Sequence, residues 1–275
     1  MLIKDNKTID VVFVLVNYNT NKDLVNFIKK TKKIINNRFR YKFVCVDNYS
    51  NKKVLDELKA LSENFSFELI ENENLGYGQG NNIGIDFACN KYKFDYLVVS
   101  NCDIEIEKFD LDTLNKYSNS IIAPKIINSS NRNQNPMYYK EQPLVFKILN
   151  YSNIKESMLL QKVGIVLSKF VKLFNKLFKV NDNKIFSCHG SFIVFSKPAL
   201  EKLIPVFDSK MFLLCEEMVL AMKAKEENIS IFYEKNISVK HFEDASMGDY
   251  NTQEKNFKLW KNSYDIFYKK YYSKS

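Results

Sequence analysis

The chain alternates short, continuous apolar runs with longer segments in which apolar residues recur every three or four positions. Apolar runs at 11–16, 43–46 and 96–100 predict buried strands, and helical periodicity predicts helices at 21–35 and 51–61. The same reasoning predicts further strands at 67–70, 121–127, within 184–195, at 229–233 and at 237–240. Strands that alternate with helices predict an α/β protein with a doubly wound, mainly parallel sheet and flanking helices.

Three of these strands end abruptly in polar residues. Residues 17–19 (Asn-Tyr-Asn), 47–50 (Asp-Asn-Tyr-Ser) and 101–103 (Asn-Cys-Asp) each follow a strand. Such residues commonly serve as turns and caps. The carboxyl ends of parallel strands share one edge of the sheet, however, and ligands bind beyond that edge. Three polar clusters on one edge therefore favour a ligand site, in which Asp103 is suited to hold a hard cation.

A glycine-rich stretch from 74 to 84 lies between two predicted strands and contains four of the seven glycines. We expect a sharp turn here, followed by a helix from about 83 to 91. The stretch is not the dinucleotide-binding fingerprint, because Asn81 and Ile83 occupy the positions that the third glycine would need. It is not a P-loop either, because no Gly-Lys-Ser/Thr follows. Backbone N–H groups of the turn can bind a phosphate, and an ordinary tight surface turn is the equal alternative.

The positive charge of the chain is concentrated in one segment. The net charge is +9, and residues 144–180 contain seven Lys and one Glu, which accounts for six of these charges. Lys162, Lys169 and Lys176 recur every seven residues, and apolar residues occupy a separate sector of the same predicted helix, 159–180. Such a helix either lies flat on an anionic bilayer or packs its apolar side on the protein body. The sequence leaves both interpretations open.

The overall composition and the spacing of the cysteines indicate the general class of protein. A hydrophobic content of 45% and a charged content of 27% are ordinary for a soluble globular protein. The five Cys are widely spaced without a CxxC pair, so we expect neither a disulfide framework nor a zinc site. The polar first ten residues and the absence of a long uncharged apolar run predict a cytoplasmic protein, with or without peripheral attachment to the inner face of the cytoplasmic membrane. Abundant Asn, Lys and Ile are associated with AT-rich bacterial genomes.

The second half of the chain adds an acidic pair and a histidine. Glu216 and Glu217 open a predicted helix, 216–227, where acids also suit the helix dipole. His241, one of two histidines, follows the strand at 237–240 and is a candidate metal or phosphate ligand at the same edge as Asp103. A basic, aromatic helix is predicted from about 252 to 272.

Taken in order, these motifs resemble the family 2 inverting glycosyltransferases with a GT-A fold, closest to the bacterial rhamnosyltransferase-like group. The resemblance covers roughly residues 9 to 248, and its individual motifs gain specificity from their order and spacing. The matching pieces are Asn17-Tyr18-Asn19; Val46-Asp47-Asn48 with Ser50; Asn74-x-Gly76-x-Gly78 with Asn81-Asn82-x-Gly84; Asn101-Cys102-Asp103; Gly190-Ser191; Phe207-Asp208; Met211-Phe212 with Glu216-Glu217; and His241 with Ser246.

The resemblance implies a GT-A glycosyltransferase domain at 1–248, with a basic amphipathic helical insertion at about 136–183 and a carboxyl-terminal helix at 249–275. It implies inverting transfer of a hexosyl or deoxyhexosyl group from a UDP- or dTDP-linked sugar. The acceptor would be a hydroxyl of a cell-surface glycan, such as capsule or lipopolysaccharide, or of a lipid-linked molecule. Mg²⁺ or Mn²⁺ would assist the reaction, and an anionic membrane surface is a further expected partner.

The resemblance also assigns roles to individual residues. Asp47 would accept the imide N–H of a uracil or thymine ring. Asp103 and His241 would hold the metal. Glu217 matches the general base, with Glu216 as the other candidate. The remaining nucleotide-sugar contacts would be Tyr18, Asn19, Asn48, Gly76, Asn82, Asn101 and Lys223.

The sequence departs from the family pattern at three positions. Asn101 replaces the first acid of the DxD metal motif, Val219 replaces an acid, and Lys223 replaces an Arg, which loses the bidentate grip on phosphate. These departures keep open an alternative: a catalytically weak or inactive nucleotide-sugar-binding protein of the same fold. We expect no nucleic-acid partner, because the charge collects on one Lys-only helix and no nucleic-acid-binding motif is present.

Overall fold

The computed structural model describes residues 8–178, 183–242 and 253–273, and a nine-stranded mixed sheet runs through these residues. The strand order is β3-β2-β1-β4-β8-β6-β9-β5, with β7 paired to β9. The strands are β1 (Ile9–Asn17), β2 (Tyr41–Asn48), β3 (Glu68–Asn72), β4 (Phe94–Ser100), β5 (Ile104–Lys108), β6 (Ser120–Asn128), β7 (Lys184–Ile185), β8 (Phe192–Ser196) and β9 (Ser230–His241).

The first four strands are mutually parallel, as the alternation of strands and helices predicts. In the other half of the sheet only the β6–β9 pair is parallel, because β8, β5 and β7 each join their neighbours in antiparallel fashion. The predicted α/β class is confirmed, and the sheet is more mixed than the sequence pattern indicated. The two strands predicted at 229–233 and 237–240 are one strand, β9, because residues 235–237 form a bulge within it and do not end it.

Helices cover both faces of the sheet and bury two apolar layers. One layer contains apolar residues of α1, α2 and α4, and the other contains residues of α3, α7 and α8. The helices are α1 (Asn21–Ile35), α2 (Lys52–Phe65), α3 (Tyr77–Lys91), α4 (Leu111–Leu114), α5 (Pro143–Ile154), α6 (Met158–Leu177), α7 (Lys197–Leu203), α8 (Glu216–Glu226) and α9 (Gln253–Ile266), which continues as a π-helical segment, Phe267–Tyr272.

Helix α3 begins at Tyr77, six residues earlier than the sequence predicted. Of the four glycines at 74–84, only Gly76 takes a backbone conformation that favours glycine, with φ of +96°. A Cβ at this position would lie 2.3 Å from the carbonyl oxygen of Phe212. The later glycines lie inside the helix and let it pack closely on the sheet. A Cβ at Gly84 would lie 2.4 Å from Cγ1 of Val14 on β1. The stretch was predicted as a turn because a sequence does not show this long-range approach.

We expect Gly84→Ala to lower the free energy of unfolding by about 1–3 kcal/mol, because the added methyl group overpacks the contact with Val14. Alanine is otherwise the better helix former, so a loss of stability reports packing and not helix propensity. Urea unfolding measures the effect. Asn90→Ala, at an exposed position of the same helix, is the matched control and should leave stability unchanged or slightly raised. A Gly84→Ala protein as stable as the control would contradict this account of α3.

The basic segment forms a helical hairpin of α5 and α6. The two helices cross closely at Gly164, where a Cβ would lie 2.6 Å from Cδ2 of Leu149. The apolar stripe of α6 is exposed: Leu159, Phe170 and Leu177 are each at least two-thirds accessible to solvent. Of the two interpretations that the sequence left open, packing of this stripe on the protein body is therefore wrong. No helix among the described residues is long and apolar enough to cross a bilayer.

The aromatic carboxyl-terminal helix packs against α5. Tyr264 and Phe267 are fully buried, and the hydroxyl group of Tyr264 donates a hydrogen bond to the carbonyl oxygen of Phe146 at 2.9 Å. The predicted start of this helix at 252, the boundary at 248–249 and the motif residue Ser246 all lie outside the described residues. The division of the chain into two parts stays a prediction.

Candidate active site

The strand register brings the predicted polar ends to one edge of the sheet. Asn17 pairs with Asp47 across β1 and β2, and Leu15 pairs with Ser100 across β1 and β4. The thiol of Cys102 donates a hydrogen bond to the carbonyl oxygen of Val16 at 3.3 Å, which holds residues 101–103 against the end of β1. The expectation that the three clusters share an edge is confirmed.

Asp47 is buried behind this edge and is held in place by three donors. Its Oδ1 accepts hydrogen bonds from Nδ2 of Asn17 at 2.9 Å and from Oγ of Ser50 at 2.6 Å. Its Oδ2 accepts from the backbone N–H of Ser50 at 2.9 Å. Both oxygens are thus engaged with protein, as a buried carboxylate requires. Its contact with a pyrimidine imide stays a prediction.

A cavity of 710 Å³ opens beside the same edge, and this size suits a small-molecule or cofactor site. Eight of the residues assigned from the sequence line it: Tyr18, Asn48, Gly76, Asn101, Asp103, Glu216, Glu217 and His241. The other four, Asn19, Asp47, Asn82 and Lys223, do not line it.

One corner of the cavity holds a carboxylate and an imidazole. Oδ1 of Asp103 and Nε2 of His241 lie 3.4 Å apart, and both side chains are almost fully buried. Nδ1 of His241 lies 2.9 Å from Oε1 of Gln134. A proton on Nδ1 donated to Gln134 leaves the lone pair of Nε2 directed towards Asp103, which is the arrangement of a metal-binding histidine with an oriented second partner.

These two side chains fit a divalent cation that takes its other ligands from substrate and water. Mg²⁺ is commonly bound through one or two protein groups together with phosphate oxygens. Within the described ranges, no group of three or more His, Cys, Asp or Glu converges, so the protein does not offer a complete metal cage there. Asn101 adds an uncharged neighbour, since its Nδ2 lies 3.4 Å from Nε2 of His241.

The acidic pair faces the cavity from the start of α8. Leu214 and Cys215, immediately before it, both adopt positive φ angles, of 74° and 65°, which is costly for non-glycine residues and common at functional sites. Oε1 of Glu217 accepts the backbone N–H of Gly190 at 3.1 Å. Oε1 of Glu216 is buried and has no hydrogen-bond partner in the part of the chain that the structure describes.

Burial and proximity keep one proton on this pair. Burial, and after it the neighbouring carboxylate of Glu217, raise the pKa of Glu216 to about 8. Burial also raises the pKa of Glu217, whereas the N–H of Gly190 favours its charged form. Glu216, whose Oε1 has no partner among the described residues, therefore retains the proton, and Glu217 is the carboxylate of the pair.

Sequence reasoning missed several residues of the cavity. The ring of His189 lies 5.6 Å from that of His241, and burial, followed by the charges of His241 and Lys172, lowers the pKa of His189 to about 4. Its only signal was a polar interruption, 189–191, within an apolar segment. Gln134 lies in the segment 129–135 after β6, which has no periodicity from which its position could be predicted.

Tyr77, also missed, links two parts of the site. Its backbone N–H donates to the carbonyl oxygen of Phe212 at 3.0 Å, and its hydroxyl group donates to the carbonyl oxygen of Gly190 at 3.3 Å. The first turn of α3 therefore contacts both the segment before α8 and the glycine that holds Glu217.

Asn82 and Lys223 stabilise a neighbouring loop. The side chain of Asn82 donates to the carbonyl oxygen of Phe207 at 2.8 Å and accepts its backbone N–H at 3.0 Å. Nζ of Lys223 donates to the carbonyl oxygens of Leu203 and Pro205, and burial lowers the pKa of this lysine to about 8. Phe207 lines the cavity, so Asn82 supports the cavity wall directly, whereas Lys223 holds the preceding residues of the same loop. Their direct contact with a nucleotide sugar stays a prediction.

A mixed sheet with flanking helices, and a cavity at its strand ends lined by a carboxylate, an imidazole and an acidic pair, is the arrangement expected of a GT-A glycosyltransferase. Residues 12–204 match the family model described as Glycosyl transferase family 2. The chain belongs to this family, and the resemblance to family 2 glycosyltransferases is confirmed. The inverting mechanism and the rhamnosyltransferase-like group stay predictions.

Similar proteins agree with this assignment. The low-salt glycan biosynthesis hexosyltransferase Agl10 of Haloferax volcanii is 28% identical over 227 residues, or 81% of this chain. The chain spans 64% of that relative's length. The structure of GalNAc-T7 with UDP, GalNAc and Mn²⁺ is similar with a TM-score of 0.60 and 13% identity, over 96% of this chain and 50% of that one. The structure of S. aureus TarS 1-349 in complex with UDP-GlcNAc is similar with a TM-score of 0.53 and 13% identity, over 91% and 64%. At these identities the two structures show a shared fold.

Proposed function

We propose that the protein transfers a sugar from a nucleoside-diphosphate sugar to a hydroxyl group, with inversion and with the help of a divalent cation. The observation that carries this proposal is that one cavity contains both the Asp103–His241 pair and the carboxylate of Glu217. The hexosyltransferase relative and the structures with UDP and UDP-GlcNAc support a nucleotide-sugar donor. The Mn²⁺ in the first of these structures supports the use of Mg²⁺ or Mn²⁺.

Asp103 and His241 would hold the cation through a carboxylate oxygen and Nε2. When bound, a divalent cation neutralises the negative charge that develops on a departing diphosphate. Gln134 orients the imidazole of His241 through Nδ1, so that its other nitrogen stays available. Asn101 supplies an amide at this corner and no charge.

Glu217 would act as the general base. A sugar hydroxyl has a pKa far above neutrality, so a carboxylate must take its proton as the oxygen attacks. The acceptor oxygen forms a bond to the anomeric carbon, the bond from that carbon to the diphosphate oxygen breaks, and its electron pair leaves with the diphosphate. Attack from the face opposite the leaving group inverts the anomeric centre in one step. The N–H of Gly190 fixes the position of Glu217, and Glu216 keeps its own proton.

The nucleoside would lie over Tyr18, Asn48 and Gly76, the assigned residues that line the cavity near β1 and β2. The ring of Tyr18 is 43% exposed and is available for stacking. A UDP- or dTDP-linked donor is proposed from the family resemblance at Asp47, whose carboxylate accepts hydrogen bonds from Asn17 and Ser50 and does not line the cavity. The acceptor would be a cell-surface glycan, of the capsule or lipopolysaccharide type, or a lipid-linked molecule, reached by a peripheral protein on the cytoplasmic side.

We expect the protein with Mn²⁺ to bind one UDP- or dTDP-sugar by calorimetry and to release the nucleoside diphosphate from it in the presence of acceptor. A panel of UDP-, dTDP- and GDP-linked sugars, each with and without EDTA, makes the measurement. Chelation should suppress release because the departing diphosphate loses its counter-charge. Failure to bind or turn over any donor in the panel would overturn the proposal.

A second candidate is a nucleotide-sugar-binding protein of the same fold without transferase activity. The uncharged Asn101, whose Nδ2 lies 3.4 Å from Nε2 of His241, favours it, because among the described residues Asp103 is the carboxylate at this corner. Donor binding with no transfer to extracted native acceptors would support this candidate over the first.

A further inference from the structure

The α5–α6 hairpin carries most of the exposed apolar surface of the described residues. Among the described residues, seventeen large apolar side chains are exposed, and twelve of these lie between 144 and 178. They include Phe170, Phe174 and Phe178, which are each more than half accessible. Apolar exposure concentrated in this way marks an interaction site, whereas scattered exposed side chains are ordinary.

The exposed side chains of α6 occupy one side of the helix. At about 100° per residue, all of them except Ile165 fall within a sector about 100° wide, and Lys162, Lys169 and Lys176 fall immediately beside it. The helix packs on its neighbours through a different side, which includes the buried Gly164 and the partly buried Leu167 and Val171. The exposed apolar members of α6 outside the packing side are Leu159, Val163, Val166, Phe170, Leu173, Phe174 and Leu177.

The charge of the hairpin indicates what this face binds. Residues 144–178 contain six Lys and one Glu, and no Asp. Apolar side chains bordered by lysines match a bilayer with anionic headgroups, into which the apolar side inserts while the ammonium groups contact phosphates. A second copy of this face would bring like charges together, which disfavours self-association through it.

The same hairpin forms part of the cavity wall. Ile165 is 41% exposed and also lines the cavity, and Leu149 of α5 lines it beside Trp260 and Tyr264. The hairpin thus carries both the exposed apolar face and part of the wall of the cavity that contains Glu217. This proximity would let an acceptor keep its apolar part at the bilayer while its hydroxyl reaches the base.

We propose that the α5–α6 face docks on an anionic lipid bilayer and that the acceptor is a lipid-linked hydroxyl compound presented from that surface. The identity of the acceptor rests on the proposed glycosyl transfer, whereas docking does not. The lysines of this face would bind the phosphate groups of bilayer lipids, and not free phosphate.

Cosedimentation with phosphatidylglycerol vesicles tests docking in the absence of any donor. We expect the wild-type protein to bind these vesicles and to bind phosphatidylcholine vesicles at least tenfold more weakly. The triple variant Lys162→Glu, Lys169→Glu, Lys176→Glu should lose at least tenfold in affinity for the anionic vesicles. The matched control is Lys33→Glu, Lys53→Glu, Lys116→Glu, which has the same net charge and changes exposed lysines elsewhere. An equal loss in this control, or no loss in the first triple variant, would overturn docking through α6.

A second variant separates apolar insertion from charge attraction alone. Phe170→Ser, Phe174→Ser, Leu177→Ser should bind vesicles at least tenfold more weakly with an unchanged melting temperature, because all three side chains are exposed. Unaltered vesicle binding would contradict insertion. Light scattering of the wild-type protein should show no oligomer, and a dimer that this variant dissociates would show that the face binds a second copy.

Donor binding keeps the two proposals distinguishable. Calorimetry with UDP and Mn²⁺ in vesicle-free solution should give the same affinity for the wild type and for both α6 variants. A protein that binds vesicles but no nucleotide would leave docking standing and overturn the proposed function. If the acceptor is lipid-linked, the α6 variants should lower kcat/KM at least tenfold for acceptor in vesicles and leave donor hydrolysis unchanged. An equal rate with vesicle-bound acceptor would overturn presentation from the bilayer.

Discussion

Glu217→Gln is expected to lower kcat by about 10²–10⁴-fold, because removal of a general base forfeits an acceleration of that order. The amide keeps the size of the side chain, and its oxygen still accepts the N–H of Gly190. The affinity for the donor should therefore change little, which calorimetry with UDP and Mn²⁺ can verify. Initial rates with saturating donor and acceptor give the change in kcat.

Glu216→Gln is the matched control, since it imitates a carboxyl group that already holds a proton. Its kcat should stay within about tenfold of the wild-type value. The opposite result, with activity lost in Glu216→Gln and kept in Glu217→Gln, would exchange the roles of the two residues. In the wild type, kcat should rise as pH increases, because burial raises the pKa of Glu217 and only its ionised form accepts a proton.

The same pair has a thermodynamic signature. Glu216 has a pKa of about 8 in the folded protein and about 4.5 when exposed, so the folded state binds the extra proton between these values. Its contribution to the free energy of unfolding is fully present below pH 4.5 and is lost as pH rises towards 8. This part of the pH dependence should be absent from urea unfolding of Glu216→Gln.

Asp103→Ala is expected to lower kcat/KM by at least about 100-fold, and to raise the Mn²⁺ concentration needed for half-maximal rate. The reason is that Asp103 places a carboxylate beside His241 at the proposed metal corner, and each protein ligand of a substrate-bridging cation carries a large share of its affinity. A Mn²⁺ titration of the initial rate measures both effects.

The control for this change is Asp112→Ala, which removes an exposed acid of α4 outside the cavity. It should have the wild-type rate and the wild-type Mn²⁺ requirement. Full activity of Asp103→Ala at the same Mn²⁺ concentration would show that the corner is not a metal site. Loss of activity with an unchanged Mn²⁺ requirement would place Asp103 in a role that does not involve the cation.

The outline of the fold could be predicted from the sequence because it depends on local patterns. The apolar run at 96–100 and its abrupt end at Asn101 predict a buried strand and a polar edge without knowledge of any partner strand. Three such ends met at one edge because parallel strands impose that geometry. Strand β8 lies between β4 and β6 and pairs with both in antiparallel fashion. This pairing joins residues that are distant in the sequence, and the local pattern of residues 192–196 does not indicate it.

The parts of the site that the sequence did not give are those set by contacts between distant residues. Gln134 meets His241 across 107 positions, and the N–H of Gly190 meets Glu217 across 27. Likewise, helical periodicity located the apolar side of α6 but not its exposure, because the same pattern describes a helix that packs on a core and one that lies on a surface.

The contacts of Tyr77 have a consequence for how variants of the glycine-rich stretch will behave. This residue donates hydrogen bonds to the backbone of both Phe212 and Gly190. The beginning of α3 and the residues that position Glu217 are therefore expected to move together. A Cβ at Gly76 would displace Phe212, and that displacement would pass to Glu217 without any contact between the two residues. One substitution at Gly76 would then weaken both nucleotide binding and proton abstraction by Glu217. A lower kcat in such a variant would not by itself show which of the two steps the substitution changed directly.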